Sequence, residues 1–336
     1  MRVLYIATAF ARDDDDVITP WLTETIERLR ARGVEVEVLA PSYRGSGDHM
    51  IGATRVHRFR YAPRALETLT HDQTAPDRIR EKPRYALLVP GYVAAGTAAA
   101  ARLARTGRFD VVHAFWPLPH GIFGAAAHRA GRIPLVCTFF GVELRWMRAQ
   151  MPFFAPLMRA IIRESASITA ISGHTAAEVR RLVPGSAVVN VPFGAAIQPG
   201  AAASHAAPAR EAGAPLRLLF TGRLVQRKGV AVLLEAVAQV RRERAVSLTV
   251  VGDGPLLGEL KARAAALGIA DDVLFTGFIP TAEVSRRFSE CDAFVLPAVE
   301  DDKGDVEALG VVLIEALLHG RPVIASASGG IPEIVL

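Results

Sequence analysis

Arg223 and Lys228 stand five residues apart in Gly222-Arg223-Leu224-Val225-Gln226-Arg227-Lys228-Gly229. An apolar run, Leu216–Thr221, comes directly before this loop and a helical pattern from about Val230 to Arg242 follows it, so the loop lies at a strand's carboxyl end. Two cations so placed can converge on one diphosphate, and the flanking glycines let the backbone turn tightly. A second set begins at Glu307, three positions before Gly310, with Glu315 eight positions further on in a helical pattern from Val311 to His319. The amides of Gly310, Val311 and Val312 would open that helix, where unpaired donors and the dipole favour a phosphate. Carboxylates suit hydroxyl groups, which need acceptors: Glu307 could take those of a sugar, and Glu315 those of a ribose. The other reading of Glu315 is a satisfied polar residue on an apolar helix, where an unpaired carboxylate would be costly.

Less specific signals surround these. Asp253 and Gly254, in Gly252-Asp253-Gly254-Pro255, follow a strand and open a helix, either as a ligand loop or only as a turn and cap. Phe278 and Ile279, after Gly277, could flank a base. His120, in Pro117-Leu118-Pro119-His120-Gly121, stands at a helix start as a catalytic group or as a structural donor. The acids Asp13–Asp16 could orient hydroxyls or hold a metal, but read first as a solvated loop; no metal requirement is expected.

These groups need a scaffold that presents strand ends. Val3–Ala7, a helix from Trp21 to Ala31, then Val34–Leu39, Val56–Phe59, Val111–Phe115, Leu135–Phe139 and Ile168–Ile171 alternate in the manner of a helix-covered parallel sheet. The pattern restarts at Leu216 with Ser247–Val251, Val273–Thr276, Ala293–Leu296 and Pro322–Ala325 as further strands, and with helices around Leu256–Leu267 and Val311–His319. Between them Gln198–Pro215 is rich in Ala, Pro and Gly and reads as a linker. The expectation is α/β architecture: a doubly wound domain over 1–197, a linker over 198–215 and a second doubly wound domain over 216–336, with ligands at strand carboxyl ends facing a cleft. The second domain stops just after Ile331–Val335 begins another helical pattern, so the chain is either naturally short or truncated at its C-terminus.

Taken together, the Arg223/Lys228 loop, Gly252-Asp253-Gly254-Pro255, Gly277-Phe278-Ile279, Glu307 to Glu315, Gly320-Arg321-Pro322-Val323-Ile324-Ala325 and Gly329-Gly330-Ile331-Pro332-Glu333 resemble glycosyltransferase family four. The first half resembles it more loosely, through its opening strand, Leu39-Ala40-Pro41, Phe109-Asp110-Val111-Val112-His113 and Ala170-Ile171-Ser172. The resemblance implies the GT-B fold of two Rossmann-like domains, retaining transfer, no cofactor beyond the nucleotide diphosphate sugar, no obligatory metal, and donor binding mainly by the second domain. It further implies that Arg223 and Lys228 bind the diphosphate, Glu307 the donor sugar and Glu315 the ribose. One departure stands out: many members have His where this chain has Phe140, in Thr138-Phe139-Phe140-Gly141, and Phe115 replaces a second common His. A Phe neither donates a hydrogen bond nor carries charge, which implies weaker activity or a different sugar geometry, with His120 as the residue that could compensate.

The 25 Lys and Arg against 17 Asp and Glu in residues 1–200, and 14 against 17 in 201–336, put the whole positive excess in the first half. That suits an anionic acceptor or an anionic lipid surface, or else an Arg-rich solvated face. The basic residues neither cluster densely nor interleave with aromatics, so nucleic acid is not expected. Cys137 and Cys291 lie far apart in apolar runs, as buried thiols of a reducing compartment do. The start lacks the order of a signal peptide, and Tyr85–Ala101 is short and interrupted for a membrane span, reading as a buried or membrane-facing helix. The expected protein is a cytoplasmic retaining glycosyltransferase, with peripheral contact at the inner membrane face open, acting on a glycan, lipid-linked sugar or small molecule. Its alternatives are a non-catalytic nucleotide-sugar-binding protein, or an epimerase or phosphorylase of the same fold.

Overall fold

The computed structural model describes residues 1–13, 16, 18–71, 74–195, 197, 213–302 and 304–335, without the side chain of Asp77. The chain divides into two units, Met1–Val191 and Pro192–Leu336. The expected linker lies outside the described residues from Gln198 to Ala212. Ile197, expected in the first domain, instead packs against the second unit's core.

The first unit runs β1 (Arg2–Ile6), α1 (Pro20–Arg30), β2 (Glu35–Pro41), β3 (His49–Ile51), β4 (Thr54–Phe59), α2 (Ala75–Glu81), α3 (Val89–Thr106), β5 (Val111–Phe115), α4 (Pro117–Gly131), β6 (Leu135–Phe139), α5 (Val142–Gln150), α6 (Ala155–Glu164), β7 (Ser167–Ala170), α7 (Gly173–Leu182) and β8 (Val188–Asn190). Its sheet order is β3-β4-β2-β1-β5-β6-β7-β8, and every pair is parallel except β3 with β4. The central strands β1 and β6 are largely buried and so read as apolar runs, whereas β2 opens on a Glu-Val-Glu-Val alternation and the edge strand β8 is largely exposed. The apolar stretch after Pro83 is α3 with the short turn before it, long and apolar enough to cross a membrane by length and composition. In the fold it buries Tyr92, Gly96, Ala99, Ala100 and Ala104. Gly96 is needed there because a Cβ would come within 2.3 Å of the Phe123 ring on α4.

The second unit runs β9 (Leu216–Thr221), α8 (Val230–Val240), β10 (Val246–Val251), α9 (Leu257–Ala266), β11 (Val273–Gly277), α10 (Thr281–Glu290), β12 (Ala293–Leu296), α11 (Val311–Leu318) and β13 (Val323–Ala325), in the order β11-β10-β9-β12-β13, all parallel. Helix α8 buries Val230, Leu233, Leu234 and Val237, the i, i+3, i+4, i+7 stripe that seats a helix on a sheet. The helical pattern expected from Ile331 is only a single short turn, Ile331–Glu333. The order reverses between β9 and β12, where the chain leaves β9 toward one edge and β12 toward the other. Such a switch point opens a crevice outside the strand carboxyl ends.

Candidate functional site

The loops after β9 and β12 meet at that crevice. Gly222 leaves β9 with φ 150° and Gly229 ends the loop with φ 70°. A Cβ on Gly229 would stand 1.7 Å from the Pro297 carbonyl oxygen, so only glycine lets the first loop press onto the second. Hydrogen bonds lock the approach: the Val299 amide donates to the Arg227 carbonyl at 2.9 Å, and the Asp302 amide to Gln226 Oε1 at 3.3 Å. Beside them the Leu224 amide donates to the Asp253 carbonyl at 2.9 Å, joining the loop after β10 to the same edge.

This packing puts Lys228 Nζ 2.8 Å from Glu307 Oε2, with both side chains only 12% exposed. Burial pushes the Glu307 carboxyl up, but the Lys228 ammonium, Arg227 and the Gly310 amide outweigh it and hold the group below the usual carboxylate range. Glu307 is thus an acceptor-only carboxylate beside a cation near neutral pH. Its backbone is clamped as well, since the Gly330 amide donates to the Glu307 carbonyl at 3.0 Å. A Cβ on Gly329 would come within 1.8 Å of that carbonyl oxygen, which explains the glycine there.

Gly310 caps α11 with φ 86°. With Val311 and Val312 it opens the helix, where amides lack partners within the helix. Arg223 is exposed on the first loop. Asp253 caps its own turn, Gly254 N to Asp253 Oδ1 being 2.6 Å. Gly254 also lies against Leu224, whose carbonyl oxygen a Cβ would meet at 2.4 Å. Phe278 projects into solvent at 71% exposure, while Ile279 packs partly on the core. Glu315 is buried on α11, and its Oε1 accepts the Ile197 amide at 3.1 Å. This carboxylate therefore holds the chain where it enters the second unit.

His120 lies in the first unit's core at 1% exposure, where it serves as the structural donor that was one of its two readings. Its Nδ1 lies 3.0 Å from the Phe115 carbonyl and 3.1 Å from that of Trp116, and its Nε2 lies 3.1 Å from Tyr92 Oη. Both ring nitrogens are occupied, and burial lowers the imidazole to about 4, so it stays neutral. Asp16 departs from the solvated reading: it takes Arg12 Nε at 2.6 Å and faces His71 Nε2 at 3.0 Å, with its side chain 7% exposed. Asp14 and Asp15 lie outside the described residues. Cys137 and Cys291 are free and buried, and burial pushes the thiols up to about 12 and about 11.

Phe140 stacks on Trp116 with ring centroids 4.0 Å apart and lies 5.8 Å from Trp21, while Phe115 stacks on His113 at 4.2 Å. Where the resemblance anticipates imidazoles, the strand ends of this unit thus carry an aromatic cluster. Sequence reasoning missed Glu143 nearby. Its Oε1 accepts the Phe140 amide at 2.8 Å, its Oε2 meets no donor among the described residues, and burial raises it to about 7. An acid three residues after Phe140 at a helix start was the available signal.

The family model for a glycosyl transferase 4-like domain matches residues 18–194, and that for glycosyl transferases group 1 matches residues 205–336. The chain is 33% identical over 231 residues to a GDP-mannose-dependent alpha-(1-6)-phosphatidylinositol monomannoside mannosyltransferase of Mycolicibacterium smegmatis, a match over 65% of this chain and 58% of that protein. It is 31% identical over 201 residues to a 2-deoxystreptamine glucosyltransferase of Streptomyces kanamyceticus, over 56% of this chain and 49% of that one. The chain therefore matches only about half the length of these two curated relatives. Among solved structures, sucrose-phosphate synthase of Thermosynechococcus elongatus is similar at TM-score 0.72 and 21% identity, over 100% of this chain and 83% of that one. Anabaena HepE in complex with UDP and glucose is similar at TM-score 0.65 and 19% identity, with the same coverage. These two likenesses show the GT-B fold.

Proposed function

Because this chain belongs to the glycosyl transferase 4-like, group 1 glycosyltransferase family, we propose that it is a retaining glycosyltransferase that moves a sugar from a nucleotide diphosphate sugar to an acceptor hydroxyl. The observation that carries this reading is the buried Lys228–Glu307 pair at 2.8 Å, built from the two loops of the switch point. When a nucleoside diphosphate departs, the sugar becomes oxocarbenium-like and the phosphate gains negative charge. Lys228 and Arg223, with the Val311 and Val312 amides, supply fixed positive charge for it, and preorganised groups of this kind contribute several kcal/mol to such steps. Glu307 accepts from a hydroxyl of the donor sugar, and Lys228 keeps it ionised for that task. An acceptor hydroxyl held on the leaving group's face yields retention, the departing phosphate taking its proton. Glu315 has one oxygen on the Ile197 amide, and a ribose hydroxyl would share this carboxylate.

The relatives named for GDP-mannose make that donor the first to test, followed by UDP-, ADP- and dTDP-sugars. Titration calorimetry on the unmodified chain, Lys228→Met and Glu307→Gln is the experiment. Binding of one donor, weakened tenfold or more by Lys228→Met, is the expected result, with Glu307→Gln slowing transfer more than it weakens the bare nucleoside diphosphate. Equal donor affinity in all three chains would sink the proposal.

A further inference from the structure

Between Arg55 and Arg84 the chain has eight Lys and Arg against four Asp and Glu, and part of that excess converges on one cavity. It measures about 450 Å³ and lies wholly in the first unit, lined by Arg44, Arg64, Thr68, Arg78, Lys82 and Tyr85. Arg44 follows the carboxyl end of β2, Arg64 the turn after β4, Arg78 lies on α2 and Lys82 just beyond it. Thr68 and Tyr85 are each 7% exposed, with Thr68 Oγ1 and Tyr85 Oη 2.8 Å apart, so buried hydroxyl groups back the exposed cations.

Two of the four cations lie over ring faces. The Arg44 guanidinium lies 5.3 Å from the Tyr43 ring centroid and that of Arg78 5.7 Å from the Tyr85 ring centroid. Arg44 adopts φ 51°, a left-handed backbone unusual for a residue with a Cβ, and its amide donates to the Glu67 carbonyl at 2.9 Å. Glu67 does not neutralise them, because it is fully buried, with Oε1 on Arg60 Nε at 2.5 Å and Oε2 on Ser42 Oγ at 2.7 Å. Among the described residues Arg44, Arg64 and Lys82 have no ion-pair partner. Guanidinium forks, an ammonium and hydroxyl donors around one hollow match the several oxygens of a phosphate. The volume exceeds that of a bare phosphate and leaves room for an attached polyol or sugar.

We propose that this cavity binds a phosphate ester carried by the acceptor, either a soluble sugar phosphate or the head group of a phospholipid. Naming the ligand as the acceptor rests on the transferase reading; the anion site itself does not. The double variant Arg64→Gln/Lys82→Gln removes two exposed charges, and its thermal midpoint reports that the fold is kept. Calorimetry at low salt with inorganic phosphate and with glycerophosphoglycerol is paired with sedimentation on vesicles of phosphatidylcholine with and without phosphatidylglycerol. Phosphate affinity at least tenfold weaker in the double variant, and retained in Arg223→Gln, is the expected result. Phosphodiester binding without sedimentation assigns a soluble acceptor, whereas sedimentation that needs phosphatidylglycerol and is lost in the double variant assigns a lipid head group. Equal phosphate affinity in the unmodified chain and the double variant, or none at millimolar phosphate, overturns the proposal. Donor binding in the same samples separates the two readings: its absence would remove the transferase while leaving a phosphate result intact.

Discussion

The chemistry of single residues turns on which charges the fold pairs. Lys228 and Glu307 meet as an ion pair at 2.8 Å although Glu307 Oε2 accepts no hydrogen bond of good geometry among the described residues, and Glu143 is buried with its Oε2 likewise unmatched. Its carboxyl is raised mainly by burial, against the amides of Phe140, Glu143 and Gly141, to about 7. The sign follows: between the ordinary carboxylate value and about 7 the folded chain keeps a proton that the unfolded chain releases, so stability is lost as pH rises through that window. Glu143→Gln removes the buried charge and is expected to stabilise the chain at pH 8 by up to about 3 kcal/mol, with no gain near pH 4. Urea midpoints at the two pH values check this, and a gain that is equal at both would refute it. His120 shows the opposite outcome for a titratable group, neutral with both nitrogens engaged.

At the scale of elements, the donor-side site depends on two loops pressed together where the strand order reverses. The Arg223/Lys228 motif was legible as a cationic loop, and Glu307 as an acid before a helix. Their meeting was not, because it depends on Gly229 approaching Pro297 across strands β9 and β12. Gly229→Ala places a methyl group against that carbonyl at φ 70°, and we expect it to cost more than about 2 kcal/mol and to abolish donor binding. Gly33→Ala is the control: φ is 78° but nothing lies within 4 Å of the added Cβ, so only backbone strain of about 1 kcal/mol is expected. Similar losses in the two variants, measured by urea unfolding, would contradict the packing argument.

For the whole molecule, the relevant fact is two separate cores. One cluster runs from Leu4 to Val183 and the other from Leu218 to Ile331, with no buried member shared among the described residues. Each unit is large enough to bury a core of its own, so fragments 1–191 and 192–336 are each expected to unfold cooperatively in urea. A non-cooperative melt of either fragment would show that its core needs the other unit. The positive excess of the first half also acquires a location at this scale, since Arg44, Arg64, Arg78 and Lys82 line one cavity although they span thirty-nine positions of sequence.

The sequence by itself determined the kind of architecture and the donor-side candidates. Apolar runs such as Leu216–Thr221 and Ala293–Leu296 are strands at those residues, because burial on both sheet faces leaves a continuous signal. Strand-end loops with glycines, cations and carboxylates are likewise local patterns. Only the tertiary structure decided which of these groups are free for chemistry. It committed an oxygen of Glu315 to Ile197, and His120 to the core. It also stacked Phe140 on Trp116, and brought Arg44 to Lys82 around a shared hollow. A hydrogen bond or ion pair joins atoms distant in the chain, and its strength depends on the burial around it, which no spacing of residue types records.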